Sequence, residues 1–320
     1  MSIIQAIHHL YQKTFGSSPA ELIPLKRTAS GRHYFRIVDA DKTYIATYGA
    51  DPKENEAFIY FSKHFKEKGM PVPEIFAVDS EQGIYLQEDL GSQSLYDLLP
   101  EAKEDLGENL KAIYKKVLTQ LARLQIKGGQ GLDYSKCVPH SDFDRQSMYW
   151  DLNYFKYFFL KLSTVTFDEA ALEKDFQGLM DFLLQADRTH FMYRDFQSRN
   201  IMIRQGQPYF VDYQGGRRGA LQYDVASLLY QPAAAMSEAT REELLKHYLE
   251  EVAQHKTIDV GSFMQLFYAY VLIRRLQALG TYGLRGIHER YTHFLKSIPI
   301  ALAQIRSLFD ENKIAIPLPE

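Results

Sequence analysis

Hydrophobic and polar residues along the first ninety positions follow two different periods. Residues 1 to about 16 carry apolar side chains at helical spacing and end at Gly16, which predicts an N-terminal helix. A second amphipathic segment, residues 55–68, predicts another helix. Short strand-like runs separated by turn residues surround that segment and predict a small antiparallel sheet. These runs are residues 22–25, 34–38, 43–48, 75–78 and 84–87.

The rest of the chain has a mostly helical pattern, with one exception near its middle. Residues 201–204 and 209–211 are apolar runs on either side of a turn-forming segment, so they predict a hairpin. The natural division lies near Gly91, which gives an N-terminal lobe of residues 1–91 and a C-terminal lobe of residues 92–320. We therefore predict an α+β fold with a small antiparallel-sheet lobe and a larger, mainly helical lobe.

Composition excludes several classes of function. The 320 residues are 46% hydrophobic and 24% charged, as in an ordinary soluble globular protein. The net charge of −3 gives no electrostatic reason to expect nucleic acid or an anionic membrane, and no obligate protein partner is evident. The single cysteine, Cys137, excludes an internal disulfide and fits a reducing compartment. The N-terminus does not resemble a secretory signal and the longest apolar run, residues 263–273, is too short to span a bilayer, so we expect a cytoplasmic protein.

Three polar side chains near the middle of the chain have the types and spacing that phosphoryl transfer requires. Asp195 is followed by Asn200 five positions later and by Asp212 at the end of the predicted hairpin. In kinases, one carboxylate receives the substrate hydroxyl proton, while an amide and a second carboxylate hold Mg²⁺ against the ATP phosphates. We predict these roles for Asp195 as catalytic base and for Asn200 and Asp212 as metal ligands. The alternative is that all three are turn residues with local backbone bonds.

The residues expected to bind ATP lie in the N-terminal lobe. Ser30 and Gly31 sit between two predicted strands, where loop N–H groups can close over phosphates, although an ordinary hairpin turn fits equally well. Arg32 can add positive charge there. Kinases of this architecture usually pair a lysine on the third strand with a glutamate on the next helix. Glu56 lies on that helix, but the strand, residues 44–48, contains no lysine.

The end of the last predicted strand is a candidate site for adenine. Gln87, Glu88 and Leu90 lie at the boundary between the lobes, where ligands commonly bind, and their backbone groups are the candidate contacts. Further on, Asp224 precedes an apolar helical run, and we expect it to cap that helix or to brace a loop.

Several motifs resemble those of the aminoglycoside phosphotransferase/choline kinase superfamily, relatives of protein kinases that phosphorylate small molecules. The motifs are Tyr34-Phe35-Arg36, Glu88-Asp89-Leu90-Gly91, residues 194–200, Asp212-Tyr213-Gln214, residues 223–229 and residues 274–280. Within the superfamily, the chain most resembles the anomeric sugar kinases that act on N-acetylmuramate and N-acetylglucosamine, which also manage without the strand lysine. Tyr193 and Tyr213 stand where the family usually has His and Phe.

The resemblance implies a two-lobed protein-kinase-like fold, ATP and Mg²⁺ as cofactors, and a small-molecule acceptor. The acceptor group would be the C1 hydroxyl of an amino sugar in cell-wall recycling. It also makes Arg199 a candidate to face the transferring phosphoryl group, with a structural salt bridge as the alternative reading of this arginine.

The acceptor pocket is expected in the helical lobe. The aromatic segment 147–162 could stack on a sugar or cage a quaternary ammonium, or it could be a helix packed in the core. Asp144 and Asp151 are candidates to bind sugar hydroxyls. Three arginines on the late helices are candidates to bind the lactyl carboxylate of N-acetylmuramate: Arg274, Arg275 and Arg285.

Two other functions stay open at this point. One is the same chemistry on choline, ethanolamine or an aminoglycoside. The other is a nucleotide-binding pseudokinase, which the missing strand lysine supports and the intact Asp195, Asn200 and Asp212 oppose. Aminoglycosides are polycations and would favour a strongly acidic pocket, which residues 142–161 do not indicate.

Overall fold

The computed structural model describes residues 1–25, 31–99 and 105–319 and has the expected two lobes. The helices are α1 (Ile3–Phe15), α2 (Pro52–Glu67), α3 (Glu108–Arg123), α4 (Arg145–Phe158), α5 (Glu169–Leu183), α6 (Leu221–Leu229), α7 (Glu238–Ala253), α8 (Val260–Tyr282) and α9 (Ile298–Asp310). The strands are β1 (Glu21–Pro24), β2 (His33–Asp39), β3 (Lys42–Tyr48), β4 (Ile75–Asp79), β5 (Ile84–Glu88), β6 (His190–Met192), β7 (Ile201–Arg204), β8 (Gln207–Phe210) and β9 (Arg217–Gly219). The predicted α+β fold is confirmed.

The N-terminal lobe is built on one antiparallel sheet with the strand order β1-β2-β3-β5-β4. Strands β2 and β3 form a hairpin in which Arg36 faces Ile45, and β5 lies beside β3 with Glu88 opposite Tyr44. All five strands lie where the alternating pattern predicts them. The last residue of β5 therefore delivers the chain directly to the boundary between the lobes.

Helix α1 covers one face of this sheet. It begins at a capping box between Ser2 and Gln5 and ends at Gly16, whose φ of 79° suits a residue without a side chain. Its buried Ile7 and Leu10 belong to a separate small core formed with residues of the sheet. The predicted N-terminal helix thus has the role of a cover for the outer face of the sheet.

Helix α2 connects the two lobes. It begins at Pro52, earlier than the predicted residue 55, because the Asp51 side chain accepts the N–H groups of Lys53 and Glu54 and proline is suited to the first turn. On its buried face, Phe65 packs against Phe191 of the C-terminal lobe with ring centroids 4.9 Å apart. One continuous core therefore includes both α2 and the helical lobe. The division between residues 91 and 92 stays a prediction, since the core crosses it.

The C-terminal lobe is organised around α8, which packs on α4, α5 and α6. It also contains the predicted hairpin, β7-β8, whose turn residues Gln205 and Gly206 both have positive φ. A second strand pair, β6-β9, is absent from the sequence analysis. Each of these strands has three residues, which is too short for an alternating pattern to be visible. In the described part of the chain, no helix is long and apolar enough to cross a membrane.

Two helical glycines differ in the space around them, so we predict opposite effects on stability when each is replaced by alanine. At Gly283, at the end of α8, a Cβ atom would overlap the carbonyl oxygen of Phe158, whereas at Gly178 in α5 it would meet no atom within 4 Å. We expect Gly283→Ala to lower the free energy of unfolding by about 3 kcal/mol. Gly178→Ala should raise it by up to about 1 kcal/mol through helix propensity. Urea denaturation of both variants measures this, and a Gly283→Ala protein as stable as the parent would contradict the packing described here.

Candidate active site

The loop between β6 and β7 carries Asp195 and Asn200. Arg194, just before Asp195, has a φ of 79°, so the chain turns sharply there, and Asp195 is half-buried whereas Phe196 is buried. The side-chain amide of Asn200 donates to the backbone carbonyl of Asp195, at 2.9 Å. This bond uses the nitrogen of the amide and leaves its oxygen available to a ligand.

The second carboxylate, Asp212, follows β8 on a loop joined to the first. The backbone N–H of Val211 donates to the Asn200 carbonyl at 3.1 Å, and the Tyr193 hydroxyl donates to the Val211 carbonyl. Asp212 has a φ of 68°, and Gly215, three residues later, would place a Cβ atom 3.9 Å from the Asp195 carboxylate. The two loops therefore bring Asp195, Asn200 and Asp212 to one region, as the spacing predicts.

The electrostatics of this region favour a cation. Burial raises the pKa of Asp212, a hydrogen bond from Gln214 opposes the rise, and the neighbouring Asp195 carboxylate adds to it. Two carboxylates close together repel each other unless a positive charge lies between them. Residues 1–25, 31–99 and 105–319 contain no preformed cluster of three His, Cys, Asp or Glu side chains with metal-site geometry. One amide and carboxylate oxygens fit Mg²⁺, which takes few protein ligands and completes its shell with phosphates and water.

Asp224 braces the loop that carries Asp195. Its carboxylate accepts the backbone N–H groups of Tyr193 and Arg194 at 2.8 and 3.0 Å and the Gln125 side-chain amide at 2.9 Å. It lies in the first turn of α6, where Ala220 is the N-terminal capping residue, so the structure assigns bracing and not capping. Burial raises the pKa of Asp224 to about 7, and the two backbone hydrogen bonds oppose that rise.

Arg32 is the buried cation nearest to these carboxylates. Its side chain is about 5% exposed, its guanidinium lies 3.2 Å from Glu54 of α2, and its other terminal nitrogen lies 3.6 Å from Asp212. Glu56, the predicted partner helix residue, is exposed on the opposite side of α2, so the acid that faces the site is Glu54. Glu54 could not be predicted because it precedes residue 55, where the pattern places the start of the helix, whereas α2 begins at Pro52.

Strand β3 carries a neutral side chain, Thr47, in the region where kinases usually have the strand lysine. Thr47 is buried, and its hydroxyl accepts the Gln87 side-chain amide at 3.0 Å. Ser30 lies outside the described residues. Gly31 is exposed and open on all sides, directly before Arg32. The positive charge in this region is therefore that of Arg32, directly before β2.

The chain matches the model of the phosphotransferase enzyme family, APH, over residues 21–258. It belongs to that family. The protein is therefore a phosphotransferase that acts on an alcohol group, and the predicted membership is confirmed.

Relatives and solved structures agree with this assignment. The chain is 25% identical over 317 residues to the N-acetylmuramate/N-acetylglucosamine kinase of Pseudomonas aeruginosa, covering 94% of this chain and 90% of that protein. It is 25% identical over 289 residues to the protein of the same name from Neisseria meningitidis serogroup B, covering 87% and 82%. Its fold is similar to amicoumacin kinase hAmiN in complex with AMP-PNP, Ca²⁺ and Ami, with a TM-score of 0.67, 12% identity, and 99% and 96% of the two chains covered. Choline kinase LicA from Streptococcus pneumoniae gives a TM-score of 0.61 at 14% identity, covering 96% and 100%.

The side chains of the segment predicted to contact adenine, residues 87–90, have partners within the protein. Gln87 bonds Thr47, and Glu88 forms ion pairs with Lys66 and Arg204, at 3.1 and 3.0 Å. Leu90 is buried, and within the described residues its backbone N–H and C=O make no hydrogen bond. Main-chain groups at Leu90 therefore remain available to a ligand, and the adenine contact there stays a prediction.

Asp89 is a structural residue that the sequence analysis did not single out as a site. It is almost fully buried, and its carboxylate receives both the Nε and an Nη of Arg36, at 2.6 and 3.1 Å. The same carboxylate accepts the Gly91 N–H at 2.9 Å. This pair ties β2 to the boundary between the lobes, and the motif Glu88-Asp89-Leu90-Gly91 is the signal that could have indicated it.

Arg199 packs on an aromatic ring. It is exposed, and its guanidinium carbon lies 4.3 Å from the centroid of the Tyr96 ring. No described carboxylate forms an ion pair with it, so the structural salt bridge considered for this arginine is not seen among the described residues. A role of Arg199 at the transferring phosphoryl group stays a prediction.

Both acidic candidates for the acceptor have structural partners. Asp151 forms a two-pronged ion pair with Arg194, whose guanidinium also donates to the Tyr223 hydroxyl at 2.7 Å. Asp144 caps α4 by accepting the Ser147 N–H at 2.8 Å. Both oxygens of Asp151 are therefore engaged by Arg194, and one oxygen of Asp144 is engaged by the cap. The aromatic helix α4 has a buried face and an exposed face, since Phe155 is buried whereas Trp150 and Tyr157 are exposed.

The hydrogen bonds of Asp224 predict that its replacement by asparagine lowers the stability of the protein. In Asp224→Asn, the amide nitrogen would face one of the two backbone donors of the catalytic loop, which leaves a buried N–H without a partner. We expect the free energy of unfolding to fall by about 2 kcal/mol. Asp144→Asn is the matched control, since asparagine caps a helix as well as aspartate does and should change stability by less than about 0.5 kcal/mol. Equal effects of the two variants in urea denaturation would contradict the bracing role.

Proposed function

We propose that the protein is an ATP-dependent sugar kinase that phosphorylates the anomeric hydroxyl of N-acetylmuramate or N-acetylglucosamine. The observation that carries this proposal is the convergence of Asp195, Asn200 and Asp212 on two hydrogen-bonded loops beside a buried arginine. The names of the relatives from Pseudomonas and Neisseria support the sugar class. The complex of the structurally similar hAmiN with AMP-PNP and Ca²⁺ supports use of a nucleotide and a divalent ion. With small-molecule substrates of this kind, we also propose a cytoplasmic location.

In this proposal, Asp195 orients the acceptor hydroxyl and receives its proton. The acceptor oxygen forms a bond to the γ-phosphorus while the bond from that phosphorus to the bridging oxygen of ADP breaks. Because the transition state is largely dissociative, the weak base Asp195 needs to collect the proton only late. Mg²⁺ bound by Asn200 and Asp212 would supply charge neutralisation at the ATP phosphates. Most of the rate then comes from positioning and electrostatic stabilisation.

Arg32 takes the part of the missing lysine in this proposal. Its pairing with Glu54 of α2 has the same logic as a strand lysine paired with a helix glutamate, but the cation comes from β2. A guanidinium suits phosphate oxygens because it can donate two parallel hydrogen bonds. The backbone of Gly31 would lie over the phosphates, and the free backbone groups of Leu90 would contact adenine.

A panel of acceptors tests the proposed function. Purified protein with Mg·ATP is incubated with N-acetylmuramate, N-acetylglucosamine, choline, ethanolamine and an aminoglycoside, and ADP release is measured. We expect turnover with the amino sugars, and NMR of the product should show phosphate at C1. Turnover with choline and not with the sugars would contradict the sugar kinase and indicate that the acceptor is an amino alcohol. ATP binding without turnover of any acceptor would favour the pseudokinase.

Asp195→Asn separates the chemical step from nucleotide binding. The amide cannot accept the hydroxyl proton, so we expect kcat to fall by about a thousandfold or more. The Kd for ATP should stay nearly unchanged, because Asp195 is not assigned to the nucleotide. Asp310→Asn, which removes an exposed carboxylate at the end of α9, is the control and should keep full activity. A fully active Asp195→Asn enzyme would remove Asp195 from its role.

Arg32→Met tests the substitute for the strand lysine. Loss of charge-assisted bonds to phosphate should raise the KM for ATP about tenfold or more, with a smaller change in the KM for the acceptor. Arg32→Lys, which keeps the charge, should recover part of the loss. Arg145→Met, at an exposed ion pair with Asp181, is the control. If Arg32→Met lowers the melting temperature but leaves the KM for ATP unchanged, the arginine serves only to pair with Glu54.

A further inference from the structure

A glycine of the loop that carries Asp212 stands beside the carboxylate of Asp195. A Cβ atom added to Gly215 would lie 3.9 Å from Oδ2 of Asp195. Apart from the two chain neighbours of this glycine, no other atom of the described residues would lie within 4 Å of that Cβ. Gly215 and Asp195 are both half-buried, so the space between them is not enclosed in the core.

Neither the backbone nor the packing of the protein explains why residue 215 is a glycine. Its φ is outside the positive range in which glycine is favoured. The next residue, Gly216, is different, because a Cβ atom there would lie 2.4 Å from the Phe191 ring and 2.9 Å from the Tyr213 carbonyl oxygen. The fold therefore requires a glycine at 216, whereas the described chain has room for a side chain at 215.

A buried arginine holds Gly215 in place. Arg217, the first residue of β9, is 6% exposed, and its Nε and one Nη both donate to the Gly215 carbonyl at 3.1 Å. The same Nη donates to the Val138 carbonyl at 3.4 Å. Hydrogen bonds from a charged donor are stronger than those between neutral groups. The open side of Gly215 is therefore kept toward Asp195 by a contact that lies on the other side of the loop.

The two ends of this loop are contacted by different lobes. Arg32 approaches Asp212 from the N-terminal lobe, at 3.6 Å. Gly215, three residues later, is tied through Arg217 to Val138, which belongs to the helical lobe. The nucleotide is expected against the N-terminal lobe and the acceptor against the helical lobe. The space beside Gly215 thus lies on the side of the loop where the acceptor is expected.

The distance from Gly215 to Asp195 matches the size of an incoming alcohol. In the described chain, the Asn200 side chain donates to the backbone carbonyl of Asp195, and neither carboxylate oxygen of Asp195 receives a hydrogen bond. A hydroxyl that donates to Oδ2 would lie about 2.7 Å away, so the carbon that carries it would lie roughly 3 to 4 Å from Oδ2. A Cβ atom at 215 would lie 3.9 Å from the same oxygen. The two carbon atoms would therefore compete for one space.

We infer that Gly215 determines which acceptors reach Asp195, because its missing side chain leaves room for the carbon that bears the reacting hydroxyl and for the substituents of that carbon. We call this room the acceptor space. A hydroxyl on a ring carbon, which has two further substituents, needs more of the acceptor space than a primary alcohol does. Arg217 is a positioning residue that keeps the space in place through the Gly215 carbonyl. The inference rests on the proposed role of Asp195 and not on the identity of the acceptor.

Gly215→Ala and Gly215→Val fill the acceptor space in two steps. With saturating Mg·ATP and N-acetylmuramate as the acceptor, we expect kcat/KM for the sugar to fall about tenfold or more in the alanine variant and further in the valine variant. The Kd for Mg·ATP, measured by calorimetry, should change much less, because Asp212 and the N-terminal lobe keep their contacts. Gly178→Ala makes the same change at a glycine that is also open but lies in α5, and it should leave both quantities unchanged.

The outcomes separate this inference from the proposed function. A Gly215→Ala enzyme as efficient as the parent overturns the acceptor space while the sugar kinase stands. So does a variant that loses as much affinity for Mg·ATP as it loses in kcat/KM, since the change has then distorted the whole loop. If the parent phosphorylates choline or ethanolamine and not the sugars, the sugar kinase fails, and a selective fall in kcat/KM for that alcohol supports the acceptor space. A parent that phosphorylates no acceptor overturns both.

Discussion

The active site depends on one buried carboxylate that never meets a substrate in the proposed mechanism. Asp224 accepts two consecutive backbone N–H groups immediately before Asp195, so it fixes the chain at Arg194, which has a positive φ. A non-glycine residue in that conformation needs external support. The Asp151–Arg194 pair provides more of it from α4, and the ring of Tyr223 lies beneath the same guanidinium. Helices α4 and α6 thus hold the Asp195 loop in place, although neither helix contains Asp195.

The fold could be predicted from sequence to the extent that its elements are long enough to show a period. The five strands of the N-terminal lobe and helix α1 lie where the pattern places them. The start of α2 and the pair β6-β9 do not follow from periodicity, because one depends on capping by Asp51 and the other on three-residue strands. The earlier start matters for the site, since it places Glu54, which pairs with Arg32, in the first turn of α2.

The candidate site was predictable where chemistry depends on spacing along the chain. Asp195, Asn200 and Asp212 belong to two loops that a single hairpin connects, so their proximity follows from local structure. The partners of Asp151, Asp144 and Arg199 depend on contacts between helices and loops, which a sequence does not display. The adjacent Arg274 and Arg275 were recognisable as candidates, but only the structure shows that no described carboxylate pairs with them.

Helix α2 has a consequence for how far the two lobes can move apart. Its Phe58 stacks on Tyr213 at 4.9 Å, and its Ser62 hydroxyl shares a 2.6 Å hydrogen bond with the same tyrosine, so the helix is attached to the loop that carries Asp212. The same helix is joined to the N-terminal sheet, because the Asn55 side-chain amide donates to the carbonyls of Gly49 and Gly83 at 2.7 and 3.5 Å. Separation of the lobes must therefore break contacts on one side of α2 or the other.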